Sequence, residues 1–400
     1  MGTFNRRVSS LIFMLLATSL ASSSLIAAPG DEEFKQFQQS LQNDTQNGTS
    51  SLQQEFSASL KEDERLLKLE EKEYEDYKKE IEKQWGEFRG STKIEWVDYA
   101  NNKLSRSIVN FEKGNVTLEV IVPVDPKQQT VKKLSNTQRL TALNNLKKQL
   151  EKIIDDKSVD GESPIKNQIR LDNGKPITHT NVDRVARNLI DKKLSVSDTP
   201  FVAKDGNTRI KATVKLKMVP NHLKIRADKF AKPVKKYSQK YNIDPALVLA
   251  IIHTESYFNP KARSHIPAYG LMQLVPRSGG RDAYRHAFGK DKKPSSSYLY
   301  QPTKNIQLGT AYLDLLSNRE FKNINNKTSK MYLIVAAYNT GGGNVSRAIN
   351  GNTNIYKASD KINNMSSETL YKRLEQKLPH KETRDYIRKV RERKKIYKGY

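Results

Sequence analysis

Glu255 ends the run Asp244-Pro245-Ala246-Leu247-Val248-Leu249-Ala250-Ile251-Ile252-His253-Thr254-Glu255, which reads as a short helix. Asp244 suits the N-cap, Pro245 the first helical position, where a missing N–H costs nothing, and Asn259-Pro260 stops the element. Leu247, Ile251 and Glu255 recur at i, i+4 and i+8, which places the glutamate on the stripe meant for the core. Burial there disfavours the ionised carboxyl and raises its pKa toward neutrality, the condition a general acid needs near pH 7. The plainer alternative is a last-turn glutamate facing water, as most helical glutamates do.

What such an acid could do depends on its company. Hydrolysis of a glycosidic bond uses two carboxyls about 5 to 9.5 Å apart. No second acid follows Glu255 before Gly280, and Asp282 and Asp291 fall in a basic stretch that reads as an exposed loop. A single acid suits a reaction in which water is not the nucleophile. The six histidines, His179, His222, His253, His265, His286 and His380, show no paired metal-binding spacing, and cysteine is absent, so no metal or other cofactor is expected. A Ser-His-Asp triad drawn through His265 lacks a nucleophile elbow. Gly341-Gly342-Gly343 reads as a tight helix-to-helix turn, since a phosphate cradle would need a preceding strand and a Lys-Ser or Lys-Thr.

Further motifs follow in order: Gly270-Leu271-Met272-Gln273, then Asn305-Ile306-Gln307-Leu308-Gly309, Ala336-Ala337-Tyr338-Asn339 and Glu382-Thr383-Arg384-Asp385-Tyr386. With Glu255-Ser256 before them, this set resembles the lytic transglycosylases with a goose-lysozyme-like catalytic domain, closely from residue 218 onward and more loosely between 65 and 217. The resemblance implies a peptidoglycan substrate and a two-stage role for Glu255. It would first protonate the oxygen bridging N-acetylmuramic acid and N-acetylglucosamine. It would then act as base on the C6 hydroxyl, which attacks C1 and leaves a 1,6-anhydro ring. The resemblance also implies that Ser264 and Gln273 line the site, that Tyr338 and Asn339 reach it from a helix end, and that Tyr386 faces the acid. Each has a blander reading: Ser264 as a turn residue, Tyr386 as core with its hydroxyl satisfied internally, Met272 as packing. Gln273, polar between Met272 and Leu274, is harder to assign to packing. Two rival functions stay open, a hydrolytic muramidase on the same fold and a non-enzymatic basic protein that binds the cell wall.

Seventy Lys plus Arg against 44 Asp plus Glu give a net charge of +26, which favours a polyanionic partner. Peptidoglycan glycan strands fit, with an anionic wall or membrane surface as a further contact. The first 28 residues argue against nucleic acid, because Arg6-Arg7 precedes the apolar run Leu11 to Ala17 and then small residues to Ala28, the order of an export signal. A periplasmic or envelope location is therefore expected. Lacking cysteine, the chain departs from the family, whose members are typically lipoproteins.

Period changes divide the rest. Residues 29–91 read as a polar tether, to about Ser59, and then a charged helix. Residues 92–217 alternate in strands at 94–97, 107–111 and 116–122, carry helices from Ser135 or Asn136 and from Val182, and close on a strand to Met218. On that strand Arg209, Lys211, Lys215 and Lys217 form a basic outer face. From 218 to 400 the period is helical, with helices expected near 226–241, 245–257, 303–317, 328–338, 343–349, 366–377 and 382–397. The fold class expected is an α+β N-terminal domain followed by an all-α lysozyme-like catalytic domain. Because every motif lies after Pro220, the C-terminal segment is expected to fold and act alone.

Overall fold

A computed structural model describes residues 31–157, 161–171 and 174–400; the expected export signal lies outside them. Helix α1 runs over Asp31–Trp85, so the stretch to residue 59 is helical where a tether was expected. The sequence permits this: between 31 and 85 there is no proline and one glycine, Gly48, and Gln, Glu, Lys and Leu all tolerate helix well. Residues Ser59–Tyr400 form one compact unit, which includes the C-terminal part of α1.

An antiparallel sheet follows, built from β1 (Glu95–Tyr99), β2 (Ser105–Asn110), β3 (Asn115–Pro123), β4 (Ser195–Val196), β5 (Phe201–Val202) and β6 (Thr208–Lys217). Its order is β1-β2-β3-β6-β4, with β5 also on β6. Alternation sends Trp96, Val109, Leu118, Val120, Ile210, Ala212 and Val214 to one face. There they pack on α2 (Asn136–Asp155) and α3 (Val182–Lys192). Ser135 and Gln138 cap α2 reciprocally. Tyr99 and Ile121 point to the other face and bury against Ile81 and Trp85 of α1. The basic outer face of β6 is smaller than expected, because Arg209 is buried. Its guanidinium donates to both Asp205 oxygens, at 2.7 and 2.6 Å.

Beyond residue 218 the described chain is helical. Helices α4 (His222–Tyr241), α5 (Pro245–Ser256), α6 (Gly279–Phe288), α7 (Ser296–Leu299) and α8 (Pro302–Leu315) come first. A π-turn at Leu316–Glu320 leads to α9 (Lys327–Thr340), α10 (Gly342–Asn350), α11 (Ile355–Asn363), α12 (Ser367–Lys377) and α13 (Lys381–Ile396). Helix α6 was not expected: Gly279-Gly280 reads as a break, yet Ala283 buries and holds the helix down. Asp282 therefore lies on a helix, and Asp291 is held by Arg281 through two 2.6 Å bonds.

Helix α5 differs from an amphipathic stripe. Every residue from Ala246 to His253 is buried, the pattern of a helix enclosed on all sides. One buried guanidinium bonds both this helical part and the sheet region. Arg226 of α4 donates to Phe111 O at 2.7 Å and Gln168 Oε1 at 2.7 Å on one side, and to Tyr257 O at 3.1 Å on the other. Burial lowers its pKa to about 9.

Candidate active site

Glu255 lies at the C-terminal end of α5 and is 5% exposed. Asp244 caps the start of the helix, accepting from Ala246 N at 2.8 Å, and the chain leaves through Tyr257 and Phe258, both with positive φ. That exit is held from behind. Arg393 of α13 donates to His253 O at 2.9 Å and to Tyr257 Oη at 2.7 Å, while Tyr257 Oη donates to Glu112 at 2.6 Å. Arg393, one of several basic residues in the last helix, is thus part of the frame behind the site. His253 faces Tyr397 at 3.0 Å. Burial and the nearby Arg393 and Arg226 push its pKa down to about 3, so the ring is neutral.

Ser256 connects the acid to the next motif, its Oγ donating to Leu271 O at 2.8 Å and bonding Ile252 O at 3.1 Å. The loop it grips is ordered by Asn305, fully buried on α8. Asn305 Oδ1 accepts from Met272 N at 2.8 Å, and its Nδ2 donates to Tyr269 O and Leu299 O, both at 2.9 Å. Gly270 has φ +76°, and a Cβ there would stand 2.3 Å from Leu299 O; only glycine fits. Asn305 was quoted within a motif but given no role, since nothing local in the sequence says that it orders a loop thirty residues earlier.

Two tyrosines from separate helices converge on the Glu255 carboxyl. Tyr338 of α9 donates its hydroxyl to Met272 O at 2.7 Å. Tyr386 of α13 is buried, and apart from its approach to Glu255 its hydroxyl has no hydrogen-bond partner. Burial, and then the neighbouring glutamate, hold both phenols well above their usual pKa. Burial also raises the Glu255 pKa. A nearby ammonium, Lys93, and the Tyr386 hydroxyl oppose that rise, and Glu382 adds to it.

Of the other expected residues, Ser264 and Gln273 hold backbone and Asn339 holds a side chain. Ser264 is part-exposed in a turn, accepting from Ala268 N at 3.1 Å and bonding Ile266 O, which agrees with its blander reading. Gln273 has φ +49°. Its Nε2 donates to Gly270 O at 2.9 Å and Ala262 O at 3.2 Å, and its buried Oε1 has no partner. Asn339 Oδ1 accepts from Thr383 Oγ1 at 2.7 Å, which ties the end of α9 to α13. Gly341, at φ +81° and ψ 151°, supplies the sharp turn into α10. Among the described residues no cluster of His, Asp or Glu is gathered for a metal ion.

Sequence reasoning missed Lys93 altogether and gave Glu382, quoted within a motif, no role. Lys93, ahead of β1, places Nζ 3.7 Å from Glu255 Oε2 and 3.7 Å from Glu382 Oε1. The shared cation brings two carboxylates separated by more than a hundred residues to one locality. No periodicity or local motif reports such a contact.

Residues 59–229 match the family of membrane-bound lytic murein transglycosylase C, N-terminal domain, and residues 232–361 match the transglycosylase SLT domain. Membrane-bound lytic murein transglycosylase C of Klebsiella pneumoniae is 35% identical over 309 residues, which span 76% of this chain and 82% of the relative. The chain belongs to this family. Its Photorhabdus laumondii member is 36% identical over 304 residues, again 76% of this chain and 82% of that one. Among solved structures, the 70 kDa soluble lytic transglycosylase of Escherichia coli is 27% identical and covers 41% of this chain and 23% of its own, with a TM-score of 0.31. An α+β N-terminal region followed by a helical lysozyme-like domain is therefore the architecture of a family member. The family's N-terminal match begins on α1 and ends inside α4, beyond both edges of the 92–217 segment read from periodicity.

Proposed function

We propose that this protein cleaves the β-1,4 bond between N-acetylmuramic acid and N-acetylglucosamine in peptidoglycan, leaving a 1,6-anhydro end. The observation that carries the reading is a buried carboxyl with a raised pKa at the end of a core helix, faced by two tyrosines, in a chain of this family. Glu255, whose burial favours the neutral acid, gives its proton to the bridging oxygen as the C1–O bond breaks. The charge that develops at C1 is met by neutral groups, and the unpartnered Gln273 Oε1 and the Tyr386 hydroxyl are suited to this. The Glu255 carboxylate then takes the proton of the C6 hydroxyl as O6 bonds to C1, which restores the acid without water. Ser264, Tyr338 and Asn339 shape the walls, the first two through the loop between residues 262 and 274. Residues 92–217 act as an accessory domain and 218–400 carry the chemistry, in the cell envelope where the substrate lies. Exposed lysines, Lys215 and Lys217 among them, assist contact with an anionic wall or membrane surface.

A second reading has a specific observation behind it. Glu382 shares the Lys93 ammonium with Glu255, and a second carboxyl near the acid could activate water for hydrolysis. Glu382 is 74% exposed and its carboxylate is engaged by the ammonium, which makes it a poor base. Mass spectrometry of digested murein separates the two readings. Transglycosylation gives products lighter by one water than the reducing sugars of hydrolysis, and a reducing end would overturn the proposal.

A further inference from the structure

Lys93 is not part of the helical domain that carries Glu255. It lies in the short connection between α1 and the sheet, and the connection is fixed on both sides. Thr92 N donates to Glu95 O at 2.9 Å, and Thr92 Oγ1 accepts from Glu95 N at 3.0 Å. Ile94 O accepts from Phe111 N at 2.9 Å, which ties the connection into the sheet. Across the junction, Asn259 of the helical part reaches Thr92 O and Lys93 O at 3.4 and 3.5 Å. The backbone of Lys93 is thus tied to Asn259, just past the end of the helix that carries Glu255, and its part-exposed side chain brings the ammonium to 3.7 Å from Glu255 Oε2 and from Glu382 Oε1.

We infer that Lys93 is a positioning residue of the accessory region, holding the Glu255 carboxylate in place for the step in which it takes the C6 hydroxyl proton. The inference rests on the acid-then-base reading of Glu255. At 3.7 Å the ammonium is beyond a direct hydrogen bond, so it acts through its charge and transfers no proton. The bond changes stay those of the two-stage reaction.

A cation serves a group that alternates between acid and base in a definable way. Burial alone would keep Glu255 protonated, which suits the first stage but leaves an unsupported carboxylate in the second. Lys93 stabilises that carboxylate and limits the rise in pKa. The groups facing Glu255 are Lys93 from the accessory side, Tyr338 from α9, and Tyr386 and Glu382 from α13. Of these Lys93 is the one positive charge, and Glu382 opposes it.

The test is the pH dependence of kcat/KM for total glycan cleavage by the full chain. Glu255 must be protonated to begin, so activity falls as pH rises through its pKa. Lys93→Met should raise that pKa and move the alkaline limb up by about half a unit to one unit, within the range nearby charges produce. Its kcat should fall about 3- to 10-fold while KM changes less than about 2-fold, because only the charged stage is affected. Lys93→Arg should restore both the limb and kcat, and Glu382→Gln should move the limb down. An unmoved limb in Lys93→Met, or a rise in KM with kcat unchanged, overturns the inference. Product ends are scored separately: reducing ends would sink the transglycosylase reading, while the limb still reports whether Lys93 acts on Glu255.

Discussion

The inner and outer supports of Glu255 are built from different forces. Inside the helical domain the frame of the loop beside the acid is neutral and buried: Asn305, Ser256 and Tyr338 bond backbone carbonyls and an amide between residues 269 and 299. On the accessory side the contacts nearest the acid and on α1 are charged and partly open to water. Lys93 faces Glu255, and α1 grips the same loop region through Arg277, which pairs with Glu64 at 3.0 Å and Glu71 at 2.8 Å. Neutral buried bonds set geometry and resist salt, because losing one strands a desolvated partner. Exposed charges supply little stability each but reach a carboxyl's pKa across a few ångströms. One region therefore fixes where the acid is, and the other adjusts when it is ionised.

The largest expected effect strikes the acid that both regions serve. Glu255→Gln should fold with an unchanged circular dichroism spectrum and lose cleavage by about a thousandfold or more, beyond the 10²–10⁴ range of an ordinary general acid only if it serves both stages. Retention of a tenth of the rate would place the acid elsewhere. Asn305→Ala attacks the neutral frame, stranding Met272 N and two carbonyls, and should cost about 3 kcal/mol in denaturant unfolding. If stability falls but kcat survives, the frame holds the fold without setting the acid.

Removing the accessory side altogether probes the comparison more directly. Residues 218–400 alone should melt well below the full chain, because Arg226 loses its bonds to Phe111 O and Gln168 and the apolar surface at the junction is exposed. What cleavage remains should show the raised alkaline limb of a Glu255 without Lys93. A fragment as stable as the parent, with an unaltered pH profile, would return to the sequence reading of a self-sufficient domain. The smallest effect belongs to the pairs on α1. Arg277 and Lys293 hold the Glu64 pKa down to about 2, below its unfolded value of about 4.3. Their contribution is therefore complete above about pH 5 and disappears as pH falls toward 2. Arg277→Ala should cost under about 1 kcal/mol at pH 7, and less in high salt; equal stability loss at pH 2 and pH 7 would contradict the pairing.

Much of the helical domain was legible because caps and apolar periods are local. Asp244-Pro245 opens α5 and a run of apolar residues fills it, so the position of Glu255 could be read directly. The glutamate's burial was legible too, though not for the reason of a stripe, since α5 is enclosed on all sides. Helices α6 and α11 escaped because one opens on two glycines and the other, Ile355–Asn363, is short and polar. The roles of Asn305 and Lys93 were out of reach, as each depends on a contact across 33 or more residues of chain. Arg209 looked like free charge in sequence, yet it is tied to Asp205.

The Arg226 clamp limits how the two halves can be recombined. Its oxygen acceptors on the two sides of the seam are the main-chain oxygens of Phe111 and Tyr257 and the side-chain amide oxygen of Gln168, so what must be preserved in a chimaera is the placement of those oxygens, with a glutamine or an equivalent acceptor at 168. A graft cut at residue 218 would carry Arg226 away from the loop ends it was shaped to meet, leaving a guanidinium with two of its carbonyl and amide acceptors replaced by whatever the donor presents. Exchange of accessory domains between relatives should succeed only where the donor's hairpin and the segment around Gln168 return those acceptors to the same spots. The seam that looks like a convenient cut point in the sequence is the place least free to be redesigned.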